Sequence, residues 1–175
     1  MKIAELAAVH DGYSPESHRR HVMTDKNATA KGKEPDFRLQ YAALPWRRHA
    51  GLEILLVSSR ETRRWVIPKG WPIPDLRPND SAAREAFEEA GIAGKTEPSV
   101  LGHYHYVKRR KGKKGQLCRV EVFALEVETQ ADTWPEKDER STRWFSADAA
   151  AGAVEEPELK ALIQRFAFGP PGRAI

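Results

Sequence analysis

At 175 residues, with 40% hydrophobic residues and a mean hydropathy of −0.64, the chain has the composition of one water-soluble domain plus a terminal segment. No apolar run approaches the length of a membrane span, and the first thirteen residues mix Glu5, His10 and Asp11 into a short apolar stretch unlike a secretory signal. A single cysteine, Cys118, excludes an intramolecular disulfide and fits a reducing cytoplasm, while a formal charge of +4 mildly favours an anionic partner.

Residues 1–35 are polar, lack a sustained period and contain Gly12, Pro15, Gly32 and Pro35. They are expected to form a loosely ordered extension with one helical turn near 3–9, ahead of a domain over 36–168 and a tail over 169–175. From Phe37 the pattern changes. Phe37, Leu39, Tyr41 and Ala43 alternate with Arg38, Gln40 and Ala42, as in a half-buried strand that Pro45 should end or place at an edge. Residues 52–57 form an apolar run suited to a buried strand, and 65–67 give a third, closed by Pro68.

A loop rich in breakers follows, with Pro68, Gly70, Pro72, Pro74 and Pro78. A helix is predicted over 81–90, with Asn79 or Asp80 as N-cap and Gly91 as the left-handed residue past its end. Further strands are predicted at 100–106, 117–127 and 143–145. Pro157 suits the first turn of a last helix that puts Leu159, Leu162, Ile163 and Phe166 on one face. The sum is a mixed α/β sandwich.

The central helix carries Glu85, Glu88 and Glu89, spaced three and four apart on one side. Like charges so placed cost a few tenths of a kcal/mol per pair, and anions in the last turn meet the negative end of the helix dipole at about 0.3–1 kcal/mol each. A bound divalent cation reverses that penalty, because carboxylate oxygens are the ligands Mg²⁺ or Mn²⁺ prefers. The helix alone leaves a solvated acidic face as the alternative. Elsewhere, six of the seven residues at 108–114 are Lys or Arg, which reads as a solvated hairpin tip unless phosphate chemistry lies nearby. His103 and His105 share one strand face and read as structural, as do Trp65 and Trp71.

The loop narrows the choice. Gly70, Arg84, Glu85, Glu88, Glu89, Gly91 and Ile92 stand at the spacing of the Nudix motif, and six fixed matches arise by chance in such a chain about once in 10⁵. The chain therefore resembles the Nudix hydrolases. Residues 55–60, 64–70, Trp134-Pro135-Glu136 and Arg143-Trp144-Phe145 resemble the diphosphoinositol polyphosphate and diadenosine polyphosphate hydrolase branch. The resemblance covers residues 37–166. It implies an α/β/α sandwich with a mixed sheet and a divalent-metal-dependent hydrolase of phosphoanhydride bonds.

Carried over residue by residue, it makes Glu85, Glu88, Glu89 and the backbone carbonyl of Lys69 metal ligands, with Glu85 or Glu88 as the base and Arg84 orienting the carboxylates. Gly70 and Gly91 shape the motif loop. Ser58, Ser59, Arg60, Lys108, Arg109 and Arg110 become candidate phosphate contacts for a small anionic substrate. One position departs: Leu76 stands where the motif has its first Glu, which in the family braces the loop against the Arg. Asp75 or Asp80 is then expected to pair with Arg84. Three alternatives stay open: a nucleoside triphosphate or RNA 5′-end pyrophosphohydrolase, a non-catalytic sensor of a phosphorylated ligand, and a nucleic-acid-binding protein using residues 108–114.

Overall fold

The computed structural model describes residues 36–110 and 113–169; the expectations for 1–35 and for the tail beyond 169 lie outside them. In chain order the elements are β1 (Arg38–Arg48), β2 (Leu52–Ser58), β3 (Trp65–Val66), β4 (Lys69–Gly70), α1 (Pro78–Ala90), β5 (Ile92–Thr96), β6 (Gly102–Arg110), β7 (Lys113–Gln130), β8 (Thr142–Ser146), α2 (Ala147–Ala153) and α3 (Pro157–Phe168). The strands form one mixed sheet whose spine runs β3–β2–β1–β7–β5, with β4 on β1, β6 on β7 and β8 on β2. β1 and β7 run parallel, from Arg38 opposite Cys118 to Trp46 opposite Glu126, and the other named pairs are antiparallel.

Period-two alternation along the central strands builds two cores. Ala42, Leu44 and Trp46 of β1, Ile54 and Leu56 of β2, and Val120 and Val122 of β7 face α2 and α3, meeting Leu159, Leu162, Ile163 and Phe166. Ala43, Leu55, Val57, Phe123 and Leu125 face the other way, against Ala82, Ala86 and Ala90 of α1. Helices on both faces of a mixed sheet make the expected α/β/α sandwich. With α1 on one side and α2 and α3 on the other, β1 is buried on both faces rather than the one its alternation suggested.

Pro45 neither ends β1 nor lies at an edge; it is buried opposite Leu125, and the strand runs on to Arg48. β1 changes partners there. Its β4 register covers Tyr41 and Ala42, its β2 register begins at Trp46, and the Ala43 N–H reaches the Pro68 carbonyl on that side. Two residues on, the Pro45 nitrogen faces the seam between the two partners, where no ladder donor is required.

α1 starts one turn earlier than predicted. Arg77 is its N-cap, without a side-chain cap bond, and Pro78 takes the first helical turn. Asn79 and Asp80 therefore lie inside the helix, where Asp80 favours the positive dipole end and pairs with Arg77 at 2.7 Å. α2 escaped the sequence reading because its seven residues, Ala-Asp-Ala-Ala-Ala-Gly-Ala, carry no large apolar stripe; Ser146 Oγ caps it by accepting the Ala149 N–H. β4 and β5 also went unpredicted, being short and rich in Lys and Gly. Among the described residues no helix is long and apolar enough to cross a membrane.

Gly91 closes α1 with φ +68°, and a Cβ there would lie 2.5 Å from Trp134 Cε3. Gly91→Ala should lower stability by at least about 1 kcal/mol, since it meets both a left-handed backbone and the indole. Urea unfolding should show a lower midpoint at unchanged m. An unaltered midpoint would mean that Trp134 does not clasp the helix end.

Candidate active site

A cleft of about 800 Å³ opens where α1 and β4 meet the 59–64 turn, the end of β6 and the α2–α3 junction. α1 reaches it because its buried face is built of alanines, which let the helix lie close on β1. Glu85, Glu88 and Glu89 are thereby carried along the flank that lines the cleft. Glu85 lies directly on bare backbone: a Cβ at Gly70 would sit 1.8 Å from Glu85 Oε1, so no other residue fits at 70 while that carboxylate keeps its place.

Each carboxylate has a distinct setting. Glu88 accepts Arg84 Nε at 2.6 Å in a half-exposed pair. Glu89 is 4% exposed; Arg140 Nη2 reaches its Oε1 at 2.7 Å, while its Oε2 is buried without a hydrogen-bond partner. Burial raises the Glu89 pKa against the opposing pull of Lys69 and Arg140. Burial, then the neighbouring charges of Glu89, Glu88 and Glu136, push Glu85 up to about 7. Lys69, whose ammonium sits in the cleft near Glu89 and Glu156, is lowered by burial.

Among the described residues no three carboxylate, histidine or cysteine side chains gather closely enough to hold a cation by themselves. Two features nonetheless fit a hard divalent ion: the orphan oxygen of Glu89, and the burial and crowding by neighbouring carboxylates that push Glu85 up to about 7. The donor set is all oxygen. Mg²⁺ retains several waters and needs only one or two carboxylates beside backbone, water or phosphate oxygens.

Of the sequence-predicted phosphate contacts, Ser59, Arg60, Lys108 and Arg109 line the cleft. Ser58 does not: it is buried, its hydroxyl already accepts the Ser141 N–H at 2.9 Å, and its carbonyl accepts Arg140. The Arg110 side chain lies outside the described residues. Arg60 pairs with Glu136 and Glu139 at 3.3 and 3.2 Å, and Ser59 Oγ hydrogen-bonds Thr62 Oγ1 at 2.7 Å. Arg84 turns to Glu88 instead of Asp75 or Asp80, because Asp80 is held by Arg77, while Leu76 is 43% exposed. Trp71 has two cations against its ring, Arg38 at 4.0 Å and Lys108 at 4.8 Å from the centroid. The His105 ring and backbone N–H meet Glu158, a tie between β6 and α3.

Among the cleft residues to which the sequence assigns no role are Arg64, Glu136, Arg140 and Glu156. Arg140 is 7% exposed; besides Glu89 it donates from Nε to Glu136 Oε2 and from Nη1 to Ser58 O at 3.0 Å. The Glu136 N–H in turn donates to the Glu88 carbonyl at 3.0 Å. The 134–140 segment is thus bolted to the acidic end of α1. Trp134-Pro135-Glu136 marked this segment in the sequence, but an arginine four residues on, in a polar loop, carries no local signal of burial.

A model of the NUDIX domain matches residues 37–166. The chain is 32% identical over 123 residues to Nudix hydrolase 16, mitochondrial, of Arabidopsis thaliana, covering 66% of this chain and 66% of that protein, just under two thirds of its length. It is 30% identical over 148 residues to diphosphoinositol polyphosphate phosphohydrolase 3-beta of Bos taurus, covering 82% and 86% respectively. Among solved structures, a C. elegans Ap4A hydrolase superposes with a TM-score of 0.54 at 20% identity over 76% of this chain and 98% of that one, a likeness of fold.

Two outcomes test this electrostatic arrangement. A carboxylate whose folded pKa is raised binds its proton more tightly folded than unfolded, so its contribution to stability grows as pH falls through about 7. In metal-free protein, wild type should therefore gain stability over Glu85→Gln as pH is lowered from about 8 to about 5. Thermal melts showing a flat difference would contradict the pairing of burial with like charge. Arg140→Met should cost about 3–5 kcal/mol at neutral pH by stranding Glu89, with much of it regained in the Arg140→Met/Glu89→Gln double variant, as read by chemical unfolding.

Proposed function

This chain belongs to the NUDIX family, and we propose that it is a divalent-metal-dependent hydrolase of a phosphoanhydride bond in diphosphoinositol polyphosphates or dinucleoside polyphosphates, with Mg²⁺ or Mn²⁺ as cofactor. The observation that carries the reading is the orphan Oε2 of Glu89, buried in a cleft that it shares with Glu85, Glu88 and the cations of Arg60, Lys108 and Arg109. The relative named diphosphoinositol polyphosphate phosphohydrolase supports the first of these substrate classes.

Glu85 and Glu89, with the Lys69 carbonyl, would hold the ion. When bound, it polarises a phosphoryl oxygen and screens the charge of the phosphate chain. Glu88 is then left to take the proton of the attacking water. Arg84 fixes one oxygen of Glu88 at 2.6 Å and leaves the other to act. Arg60, Lys108 and Arg109 hold the substrate's phosphates, and Ser59 adds a hydroxyl donor. Trp71 holds the cations of Arg38 and Lys108 against its ring at the rim. Nucleic acid enters this reading only as a 5′ end, and the single cysteine supports the cytoplasm as the compartment. The second reading, a phosphate-ligand sensor, is favoured by Leu76, which leaves the motif loop without its usual brace.

Phosphate release should be measured with and without Mg²⁺ over diphosphoinositol polyphosphates, dinucleoside polyphosphates, nucleoside triphosphates and 5′-triphosphorylated RNA. Metal-dependent turnover of either of the first two classes is expected, and Glu89→Gln should lower kcat by about 10²-fold or more. Tight binding without turnover of any would establish the sensor instead. Replacing Lys108 and Arg109 by Ala should raise KM selectively for the most phosphorylated substrates; an equal effect on all would return that strand end to a solvated hairpin.

A further inference from the structure

The cleft has a second acidic pole that the hydrolytic machinery does not use. The junction between α2 and α3 brings Glu155 and Glu156 to its wall, and a parallel bridge between Trp65 and Val154 fixes that junction beside β3. The Glu156 side chain is 8% exposed. Arg64 Nη1 reaches its Oε1 at 2.5 Å, but its Oε2 is buried without a hydrogen-bond partner. Glu155, 69% exposed, stands at the rim 3.5 Å from the same guanidinium. Lys69 lies between the two poles, attracted by Glu89 and Glu156 and repelled by Arg140 and Arg64.

A buried carboxylate oxygen without a donor carries an uncompensated desolvation cost, relieved when a donor arrives from outside. A phosphate group offers none and is repelled. A further full cation is not called for either, since Arg64 already pairs with Glu156 and the Lys69 ammonium is close by. What fits is a neutral hydrogen-bond donor on the substrate. We propose that Glu156, with Glu155 at the rim, is a specificity-determining residue that accepts a hydrogen bond from a hydroxyl of the substrate's end group, such as the vicinal diol of a ribose. The site then favours nucleoside-bearing polyphosphates over an inositol ring whose hydroxyls are all phosphorylated. This inference rests on the hydrolase reading for the identity of the cleft.

The test uses the full chain with Mg²⁺ and binding calorimetry, so that it does not depend on turnover. The probes are a methylene-bridged, non-hydrolysable diadenosine tetraphosphate, its 2′,3′-dideoxy counterpart and a fully phosphorylated diphosphoinositol. Wild type should bind the ribose form about tenfold or more tightly than the dideoxy form, as expected for a hydrogen bond to a charged acceptor. Glu156→Gln, which keeps the shape and one acceptor for Arg64, should shrink that preference severalfold and tighten binding of the diphosphoinositol. Glu155→Gln, at an exposed position that does not endanger folding, should also tighten the diphosphoinositol. Equal affinity of wild type for the ribose and dideoxy forms overturns the proposal without any variant, and so does a preference that Glu156→Gln leaves intact. If nothing in the substrate panel is hydrolysed while the ribose preference stands, the hydrolase reading fails and the recognition by Glu156 survives it.

Discussion

Three carboxylates held together at the negative end of a helix set the terms for the rest of this structure. Helix α1 places no basic residue in its last turn, where Lys or Arg would oppose both the dipole and the crowding. Relief comes largely from outside the helix. Arg140 crosses from the loop before β8 to take one oxygen of Glu89, and the Lys69 ammonium approaches from β4. These partners are themselves buried, so the surrounding segments must be fixed in turn. Trp134 lies against Gly91, the Glu136 N–H caps the Glu88 carbonyl, and Arg140 ties the Ser58 carbonyl at the end of β2 to the same cluster. A buried arginine is tolerated there because each of its three nitrogens meets an oxygen.

The sandwich supplies the rigidity this requires. With apolar side chains projecting from both faces of β1, β2 and β7, the sheet is gripped by α1 on one side and by α2 and α3 on the other. The cleft forms where the short strand β4 leaves β1 and where the α2–α3 junction folds against β3. Its two acidic poles are consequently carried by opposite layers: Glu85, Glu88 and Glu89 by α1, Glu155 and Glu156 by the junction before α3. On the proposed reading, a substrate lying between them would meet one layer at its reacting phosphates and the other at its end group.

The sequence made the sandwich class, the long elements and the motif helix legible because each carries a local rule: period two in β1, a proline at the helix start, glycine at its end, carboxylates three and four apart. What stayed hidden is non-local. Pro45 reads as a strand breaker until the partner change from β4 to β2 shows that its nitrogen faces a seam. The start of α1 shifted because Arg77 caps by backbone geometry alone, which no side-chain preference announces. Arg84 kept company with Glu88 because Arg77 had already engaged Asp80. Arg140 and Glu156 are ordinary polar loop residues in sequence. Only the fold buries them, and burial is what gives them consequence.

Charge in the cleft and charge on the chain also diverge. The chain carries a formal +4, yet the cleft is lined by seven carboxylates, Glu61, Glu85, Glu88, Glu89, Glu136, Glu155 and Glu156, against six cations, Arg60, Arg64, Lys69, Lys108, Arg109 and Arg140. The net positive charge of the chain therefore does not come from the residues that line the cleft. Several of the cleft cations are already committed: Arg60 to Glu136 and Glu139, Arg64 to Glu156, Arg140 to Glu89 and Glu136. A polyphosphate entering this space meets a balanced network, not an open basic pocket. On the proposed reading, a divalent ion would supply the charge that draws it to the motif helix while satisfying the buried oxygen of Glu89. Anion binding and metal binding would in that sense be one equilibrium, set by how strongly Arg140 and Lys69 already compete for Glu89.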